Sequence, residues 1–265
     1  MTVTATDDHE LHRPTRRVLE ILELLSTAPS PGLTLTEIAR RMSSPANSLL
    51  PFVKTLCAKG YLNFNPASMS YMLGAKCLLF SAGFVNTSDV YSIVHEALET
   101  AARECQEICQ AGILEGADVF YIAKVDSPQA LRIVSSVGKH VPAPCTALGK
   151  ALLCDKTRAE IEALYPEGLP VLTEFSITDM DHFMKQLETV RQGGFATDID
   201  ESLKHLRCFA LPVRVNGRID CAVSISTPDF RLTHEKEKLV KGLLIEAQDR
   251  LAKRFAYLGR GLAQQ

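Results

Sequence analysis

The chain has 265 residues, of which 46% are hydrophobic and 23% are charged. This composition is typical of a globular protein, and it excludes wholesale disorder, a collagen-like repeat and a small disulfide-stapled fold. No uninterrupted run of about 18 apolar residues occurs, so a membrane-spanning helix is not expected. Residues 1–10 are acidic and lack the apolar segment of a secretory signal, which predicts a cytoplasmic protein whose eight cysteines are free thiols.

The charge is distributed unevenly along the chain. Residues 11–76 carry eight Lys and Arg against three acidic residues, a net charge of +5. The whole chain has a net charge of −2, so the remainder carries −7. A basic N-terminal part joined to an acidic body indicates that the first part binds a polyanion and that the body has a separate task.

Three helices and a hairpin are predicted between residues 15 and 73. The first helix ends before the Pro-Ser-Pro-Gly stretch at residues 29–32, because these residue types cannot continue it. Apolar residues recur at helical spacing in all three helices, which predicts one shared core. The residues expected in that core are Val18, Leu19, Leu22, Leu25, Leu35, Ile38, Met42, Leu49, Phe52, Val53 and Leu56.

The ends of the second and third helices carry capping signals. Thr34 and Glu37 form a capping box, in which each side chain bonds to the other residue's backbone N–H. Ser44 is expected to be the N-cap of the third helix, with Pro45 at its first position. Gly60 suits the left-handed residue that ends this helix.

Two short strands, residues 61–64 and 71–73, follow the third helix. Helix, helix, short turn, helix and a two-stranded wing make a winged helix-turn-helix over residues 11–74, although a structural or protein-interaction module could have the same core. In the first case the third helix enters the major groove of double-stranded DNA. The DNA-contacting residues are then expected to be Asn47, Ser48, Lys54 and Thr55 on that helix, and Arg16, Arg40 and Arg41 against phosphate.

An apolar segment at residues 75–87 predicts a linker helix, and residues 88–260 predict an α+β domain around an antiparallel sheet. Asn216-Gly217 is the strongest hairpin signal in the chain. The remaining predicted elements are helices at 88–109, 146–153, 158–164, 179–191 and 235–258, and strands at 112–114, 119–125, 131–134, 208–215 and 218–226.

Several segments resemble the IclR family of bacterial transcription regulators. The N-terminal matches are residues 17–22 (RVLEIL), 35–39 (LTEIA), 54–56 (KTL), 60–62 (GYL) and 71–74 (YMLG). The matches in the body are residues 141–142, 146–153 (TALGKALL), 200–201, 207–208, 212–213, 224–226 and 228. No single block is specific, but their common order over nearly the whole chain is.

The resemblance implies a DNA-binding head, a linker helix and a GAF-like effector-binding domain, assembled as a homodimer or homotetramer. It also implies that the linker pairs the protomers, here through Leu78, Leu79 and Phe84. Two positions depart from the family pattern. Pro51 stands where the family usually has Arg in the recognition helix, and Pro144 stands where it usually has His.

The positions that match the family's effector site have suitable chemistry of their own. The start of the predicted helix at residue 146 offers unpaired backbone N–H groups to an anion. Serines two residues apart on a strand point to one face, beside one cysteine and one carboxylate. These residues predict a site for a small organic acid at Ala147, Leu148, Asp198, Cys208, Ser224 and Ser226.

Enzymatic and metal-dependent functions are less favoured. Cys145 or Ser224 could be a nucleophile, with His140 or His205 as base, but neither lies in a nucleophile motif. Cys105, Cys109 and His95 lack the spacing of a tetrahedral metal site. The sequence therefore predicts neither a catalytic site, a metal nor a cofactor.

Two functions remain open at this point. The first is a transcription regulator, such as a repressor, whose affinity for its operator is controlled by a small organic acid. The alternative is a small-molecule-binding or interaction protein whose helical head no longer reads DNA. Pro51 is the best support for the alternative, because an interior proline removes one backbone hydrogen bond from the recognition helix.

Overall fold

The computed structural model describes residues 12–87, 89–129, 136–259 and 261–262. The chain divides into two compact units, with the boundary between residues 87 and 88. The acidic segment at residues 1–10 and the predicted strand at 131–134 lie outside the described residues. Each unit is described separately below.

The first unit contains three helices and a small antiparallel sheet. The sheet has the strand order β1-β3-β2. Strand β1 was not predicted, and it pairs with β3 through Leu33 opposite Tyr71. The elements are α1 (Arg13–Ser26), β1 (Leu33–Thr34), α2 (Leu35–Arg41), α3 (Ala46–Ala58), β2 (Leu62–Asn65) and β3 (Ser70–Leu73).

The core of this unit follows the predicted helix faces with one exception. Leu49 and Val53 of α3 are fully buried. On α1 the buried stripe centres on Ile21 and Leu25, whereas Leu19 is 52% exposed. The prediction that Leu19 faces the core was wrong because the helix presents Ile21, two residues later, to the interior.

The predicted capping box is confirmed, and the predicted start of α3 is wrong by one residue. The Thr34 hydroxyl accepts from the N–H of Glu37 (3.3 Å), and the Glu37 carboxylate accepts from the N–H of Thr34 (2.8 Å). Helix α3 has Pro45, not Ser44, as its N-cap. The Ser44 hydroxyl instead donates to the carbonyl of Met42 (3.0 Å).

Helix α3 continues through Pro51, so the proline does not end it. Its ring removes only the hydrogen bond to the carbonyl of Asn47, and the buried residues on either side hold the helix in place. Gly60 has φ +81°, the left-handed conformation predicted for the residue that ends this segment.

A short 3₁₀ turn, Ala75–Cys77, leads into α4 (Leu78–Thr87). Phe80 stacks on Tyr61 with 5.6 Å between ring centroids, which ties the start of α4 to the wing. Leu78 and Leu79 are 70% and 61% exposed. Helix α4 therefore presents apolar side chains that nothing within the described chain covers.

The second unit is an α+β domain with a six-stranded antiparallel sheet in the order β6-β5-β4-β9-β8-β7. This confirms the predicted fold class. Its strands are β4 (Ile108–Glu115), β5 (Asp118–Val125), β6 (His140–Pro142), β7 (Ala196–Ile199), β8 (Leu206–Val215) and β9 (Arg218–Pro228). Its helices are α5 (Asp89–Cys105), α6 (Ala147–Leu153), α7 (Arg158–Leu164), α8 (Met180–Arg191) and α9 (His234–Leu258).

The two faces of the sheet have different neighbours. Phe209, Val223 and Ile225 belong to the core that contains residues of α5 and α9. Cys208 and Ala210, which alternate with them, belong to a second core built around α6 and α8. Because side chains alternate along a strand, Ser224 and Ser226 of β9 lie on the α6 side with Cys208 and Ala210.

The hairpin of β8 and β9 has the predicted turn. Asn216 and Gly217 both have positive φ angles, +51° and +78°, as a two-residue hairpin turn requires. The ladder contains a bulge, because Arg214 pairs with Ile219 and Val213 pairs with Cys221. Asp220 is thus an extra residue in β9.

The predicted helix at residues 88–109 ends earlier than expected. Gln106 has φ +58° and stops α5, so Cys105 ends the helix and Cys109 lies in β4. The expectation that both cysteines lie on one helix was wrong, although their sulfur atoms are 3.9 Å apart. Strands β6 and β7 were not predicted.

Among the described residues, no single helix is both long enough and apolar enough to cross a membrane. The consecutive helical segments Ala75–Phe84 and Asp89–Cys105 meet these criteria only when taken together.

Candidate functional site

A cavity of about 370 Å³ lies in the second unit, on the α6 side of the sheet. The six residues predicted for the acid site all line it, together with Thr146. They come from β7, β8, β9 and the start of α6. The six are Ala147, Leu148, Asp198, Cys208, Ser224 and Ser226.

Strand pairing explains how these separate segments meet. Cys208 lies opposite Asp198 on β7 and opposite Ser226 on β9. Ser224 lies opposite Gln110 on β4. Directly opposed residues point to the same face of a sheet, so these side chains form a continuous polar floor.

Two hydroxyls on this floor have different environments. The Ser226 hydroxyl accepts from the Cys208 thiol (3.1 Å) and donates to the Gln110 amide oxygen (3.4 Å). Ser224 is 2% exposed, and its hydroxyl has no hydrogen-bond partner among the described residues. A buried hydroxyl without a partner costs free energy unless water or a ligand bonds to it.

Asp198 is buried and held by its own loop. One carboxylate oxygen accepts from the N–H groups of Glu201 (2.9 Å) and Ser202 (3.2 Å), and the other accepts from the Ser202 hydroxyl (2.5 Å). Burial raises the pKa of Asp198, and these hydrogen bonds oppose that rise. Asp198 therefore holds the loop at the floor of the cavity. Both of its carboxylate oxygens already accept hydrogen bonds, so it can accept fewer from a ligand than the sequence suggested.

The start of α6 leaves backbone N–H groups for the pocket. The Thr146 hydroxyl accepts from the N–H of Gly149 (2.9 Å). Among the described residues, the N–H groups of Ala147 and Leu148 have no partner. A Cβ atom on Gly149 would lie 2.0 Å from the carbonyl oxygen of Ala143, so only glycine permits this close approach.

A buried ion pair supports the same region from behind. The Lys150 ammonium donates to Glu201 (2.5 Å), to the carbonyl of Thr197 (2.8 Å) and to Gln186 (2.7 Å). Burial lowers the pKa of Lys150 and raises that of Glu201, while their attraction opposes both changes. No role was predicted for Glu201 from the sequence. Glu201 is 3% exposed, and its ion pair with Lys150 anchors the loop that holds Asp198.

The rim of the cavity differs from its floor. Leu172 and Leu203 are 46% and 50% exposed, and Lys139 is exposed beside them. None of these three residues was predicted from the sequence, and neither were Gln110 and Tyr121, which also line the cavity. The direction of Tyr121 could have been predicted, because it is two residues after Val119 in a predicted strand and therefore lies on the same face.

Apart from Ser224, which lines the pocket, the residues considered for catalysis are engaged elsewhere. The Cys145 thiol donates to the carbonyl of Pro170 (3.1 Å). His140 pairs with Glu115 (2.5 Å), and His205 pairs with Asp229 (2.9 Å). Within the described ranges, no group of three or more metal-ligating side chains comes together.

The residues predicted to contact DNA lie on α1, α2 and α3 of the first unit. Asn47, Lys54 and Thr55 are exposed on α3, and Ser48 is half-buried. The Ser48 and Thr55 hydroxyls donate to carbonyls of their own helix, those of Pro45 (2.7 Å) and Pro51 (2.8 Å). Arg40 and Arg41 are exposed at the end of α2, whereas Arg16 is half-buried and pairs with Glu20 (3.2 Å).

A winged helix-turn-helix joined to a separate domain with a partly open pocket is the architecture of a DNA-binding regulator. Two family models match this chain. The IclR helix-turn-helix domain matches residues 14–66, and the C-terminal domain of bacterial IclR transcriptional regulators matches residues 82–252. The chain belongs to the IclR family and is a DNA-binding transcriptional regulator.

Known relatives are similar to this chain over most of their length. The transcriptional regulator XynR of Escherichia coli is 30% identical over 84% of this chain and 91% of its own. A crystal structure of an IclR regulator from Alicyclobacillus acidocaldarius superimposes with a TM-score of 0.84 at 25% identity, covering 92% of this chain and 98% of that one. An IclR homologue from Microbacterium hydrocarbonoxydans, 16% identical, has the same fold (TM-score 0.72, covering 89% of this chain and 99% of that one).

Proposed function

We propose that the pocket of the C-terminal domain binds a small organic acid, and that the bound acid changes the affinity of the N-terminal domain for its operator. The observation that carries this proposal is the Ser224 hydroxyl, which faces a cavity lined by all six predicted residues and has no hydrogen-bond partner among the described residues. The N–H groups of Ala147 and Leu148 support it, because they add donors suited to a carboxylate.

The size of the cavity favours an acid larger than two or three carbons. Drug-sized ligands occupy pockets of about 300 Å³ upward, and the cavity of about 370 Å³ falls at the lower end of that range. The Microbacterium homologue was crystallised with 4-hydroxybenzoate. Both points support an aromatic or similarly sized acid.

Calorimetric titration tests the effector site. A thermal-shift screen of aliphatic and aromatic acids, including 4-hydroxybenzoate, identifies the acids to titrate. We expect the Ser224→Ala/Ser226→Ala double variant to bind such an acid about tenfold more weakly or worse, because the hydrogen bond from the Ser224 hydroxyl to a charged group is lost and Ser226 no longer holds Gln110 and Cys208 in place. The control is Ser92→Ala, which changes an exposed serine of α5.

The outcomes of this titration separate the alternatives. Equal affinity of the wild type and the double variant would remove the serines from the site. If no acid in the screen bound, the pocket would have no effector role.

We propose that Asn47 reaches base edges in the major groove and that Lys54, Arg40 and Arg41 contact phosphates. Ser48 and Thr55 flank these residues and can accept but not donate, because their hydroxyl protons already bond to their own helix. Arg16 would contact phosphate only after releasing Glu20. Without an arginine in mid-helix, affinity depends more on phosphate contacts than on base contacts.

Binding to DNA from the chain's own upstream region tests these roles. Lys54→Ala should weaken binding to all sequences alike and reduce the salt slope by about one. Asn47→Ala should lower the preference for the specific site by a factor of about ten and leave the salt slope unchanged. Lys253→Ala in α9 is the control for the loss of one charge. A Lys54→Ala variant with altered base preference and an unchanged slope would contradict the phosphate role.

We also propose that α4 pairs two protomers, with the tetramer as a further association. Helix α4 belongs to the proposed linker, residues 75–87. The linker joins the DNA-binding domain, residues 11–74, to the effector-binding domain, residues 88–260. Leu79 is 61% exposed and Phe84 is 45% exposed, and burying such side chains is favourable by about 25 cal/mol per Å². Light scattering should show a dimer or tetramer for the wild type and a 29.1 kDa monomer for Leu79→Glu. A monomeric wild type would refute the proposal, and Val171→Glu controls for loss of an exposed apolar residue.

A further inference from the structure

Strand geometry directs Lys139 into the pocket. Strand β6 pairs with β5 so that His140 lies opposite Phe120. One residue earlier, the N–H of Tyr121 donates to the carbonyl of Lys139 (3.1 Å) and fixes its backbone at the edge of the cavity. Alternation along the strand places Lys139 and Val141 on the same face, and both line the pocket.

The acidic group nearest to this strand is already engaged. On the opposite face of β6, His140 pairs with Glu115 (2.5 Å) and packs on the ring of Phe120 (4.8 Å between centroids). Among the described residues, Lys139 has no ion-pair partner, although the chain outside residues 11–76 has a net charge of −7. Its ammonium group is therefore available at the mouth of the cavity.

The described lining of the pocket carries only two charged side chains, and they lie at different depths. Asp198 is 1% exposed on the floor, whereas Lys139 is exposed at the rim. Exposed Ser136 lies close to Lys139 in the chain, and Leu172 and Leu203 add apolar surface to the lining. A ligand long enough to fill the cavity thus meets hydroxyl and N–H donors at one end and an ammonium group at the other.

We propose that the effector carries two anionic groups, of which the outer one pairs with Lys139. This inference rests on the proposed function, because it assumes that an acid occupies the pocket. Opposite charges at the rim favour a diacid over a monoacid of the same size, and Asp198 disfavours an anionic group placed directly against it. Lys139 is then a specificity-determining residue rather than part of the site that holds the inner carboxylate.

Matched pairs of acids test the inference by calorimetric titration. The pairs are benzoate with terephthalate and pentanoate with glutarate, so that only the second carboxylate differs. We expect the wild type to bind the diacid of a pair about threefold to fivefold more tightly at low salt, as for a partly exposed ion pair, with a smaller difference at high salt. Lys139→Gln should abolish this difference and leave monoacid binding unchanged.

Two further variants complete the test. Lys253→Gln on α9 removes the same charge far from the pocket, and it should keep the preference for the diacid. Lys139→Glu should reverse the preference. Because Lys139 is exposed, neither change at this position should alter the thermal unfolding of the domain.

The outcomes distinguish this inference from the proposed function. If the wild type bound monoacid and diacid equally, or if Lys139→Gln weakened both equally, the diacid inference would be wrong and the effector site would stand. If neither member of either pair bound while another acid of the screen did, the diacid inference would be wrong and the effector site would stand. If no acid bound at all, both proposals would fall.

Discussion

Replacing Lys150 with methionine tests how the ion pair behind the pocket supports the C-terminal domain. The ammonium group is completely buried and has three oxygen partners, on Gln186, Thr197 and Glu201. Methionine fills a similar volume but leaves the Glu201 carboxylate buried without a cation. That carboxylate already has one oxygen, Oε2, without a partner.

The expected loss is large. Removing one partner of a buried pair costs about 3–5 kcal/mol, chiefly because the remaining charge is uncompensated. For a domain of this size each kcal/mol lowers Tm by about 2–4 °C, so Lys150→Met should lower the Tm of the C-terminal domain by roughly 10 °C. The raised pKa of Glu201 sets the direction of the pH effect: the variant should be least destabilised at low pH, where Glu201 is protonated.

Differential scanning calorimetry measures this loss, with circular dichroism as a second probe because the chain has no tryptophan. Lys156→Met is the matched control. Lys156 is partly exposed and 3.9 Å from Glu160, so its loss should cost less than about 0.5 kcal/mol. The double variant Lys150→Met/Glu201→Leu should recover at least half of the stability. A loss below about 1 kcal/mol for Lys150→Met, or no recovery in the double variant, would refute the reasoning.

Three further predictions concern single contacts. Thr34→Ala should lower the free energy of unfolding of the N-terminal unit by about 1 kcal/mol in urea titrations, because the cap of α2 is lost. Asp155→Asn should cost at most about 1 kcal/mol at neutral pH, since both partners are partly exposed. Arg214 holds the pKa of Asp155 below its usual value, so the cost should disappear as the pH falls below about 4 in the same titrations. Gly149→Ala should cost about 1–3 kcal/mol and weaken the binding of whichever acid the screen identifies in calorimetry, because its Cβ would strike the carbonyl of Ala143.

Two of these predictions have a matched control variant, and the third has a refuting pH dependence. Thr36→Ala changes an exposed threonine of the same helix and should not affect unfolding. A pH-independent difference between Asp155→Asn and the wild type would contradict the ion-pair argument. Gly242→Ala in α9 meets no atom within 4 Å and should be neutral or stabilising, so an equal loss at both glycines would rule out the steric explanation.

Patterns local to the sequence predicted most elements of the fold. Three such patterns are present in the structure: the cap at Thr34, the Asn216-Gly217 turn, and the placement of Ser224 and Ser226 on one face of a strand. Each depends only on residues that are close together in the chain. Strands of three or four residues, such as β6 and β7, carry too few alternations to be recognised.

Contacts between residues far apart in the chain could not be predicted from the sequence. Lys150 lies 51 residues from Glu201, and nothing near either residue shows that the two are buried together. The same holds for Lys139, whose direction follows from its pairing with β5. The orientation of Asp198 was also missed, because its acceptors are filled by a turn that only the folded loop forms.

The bulge at Asp220 determines how the β8–β9 hairpin tolerates changes in length. The turn at Asn216-Gly217 sets one register, and the bulge advances β9 by one residue before the strand reaches the pocket. Deleting Asp220 would give a regular ladder in which Cys208 still faces Ser226. Deleting a residue between the bulge and Ser224 would instead place Ile225 opposite Ala210, where the Ser224 hydroxyl now lies. Length variation at the bulge is thus separable from pocket chemistry, and length variation a few residues later is not.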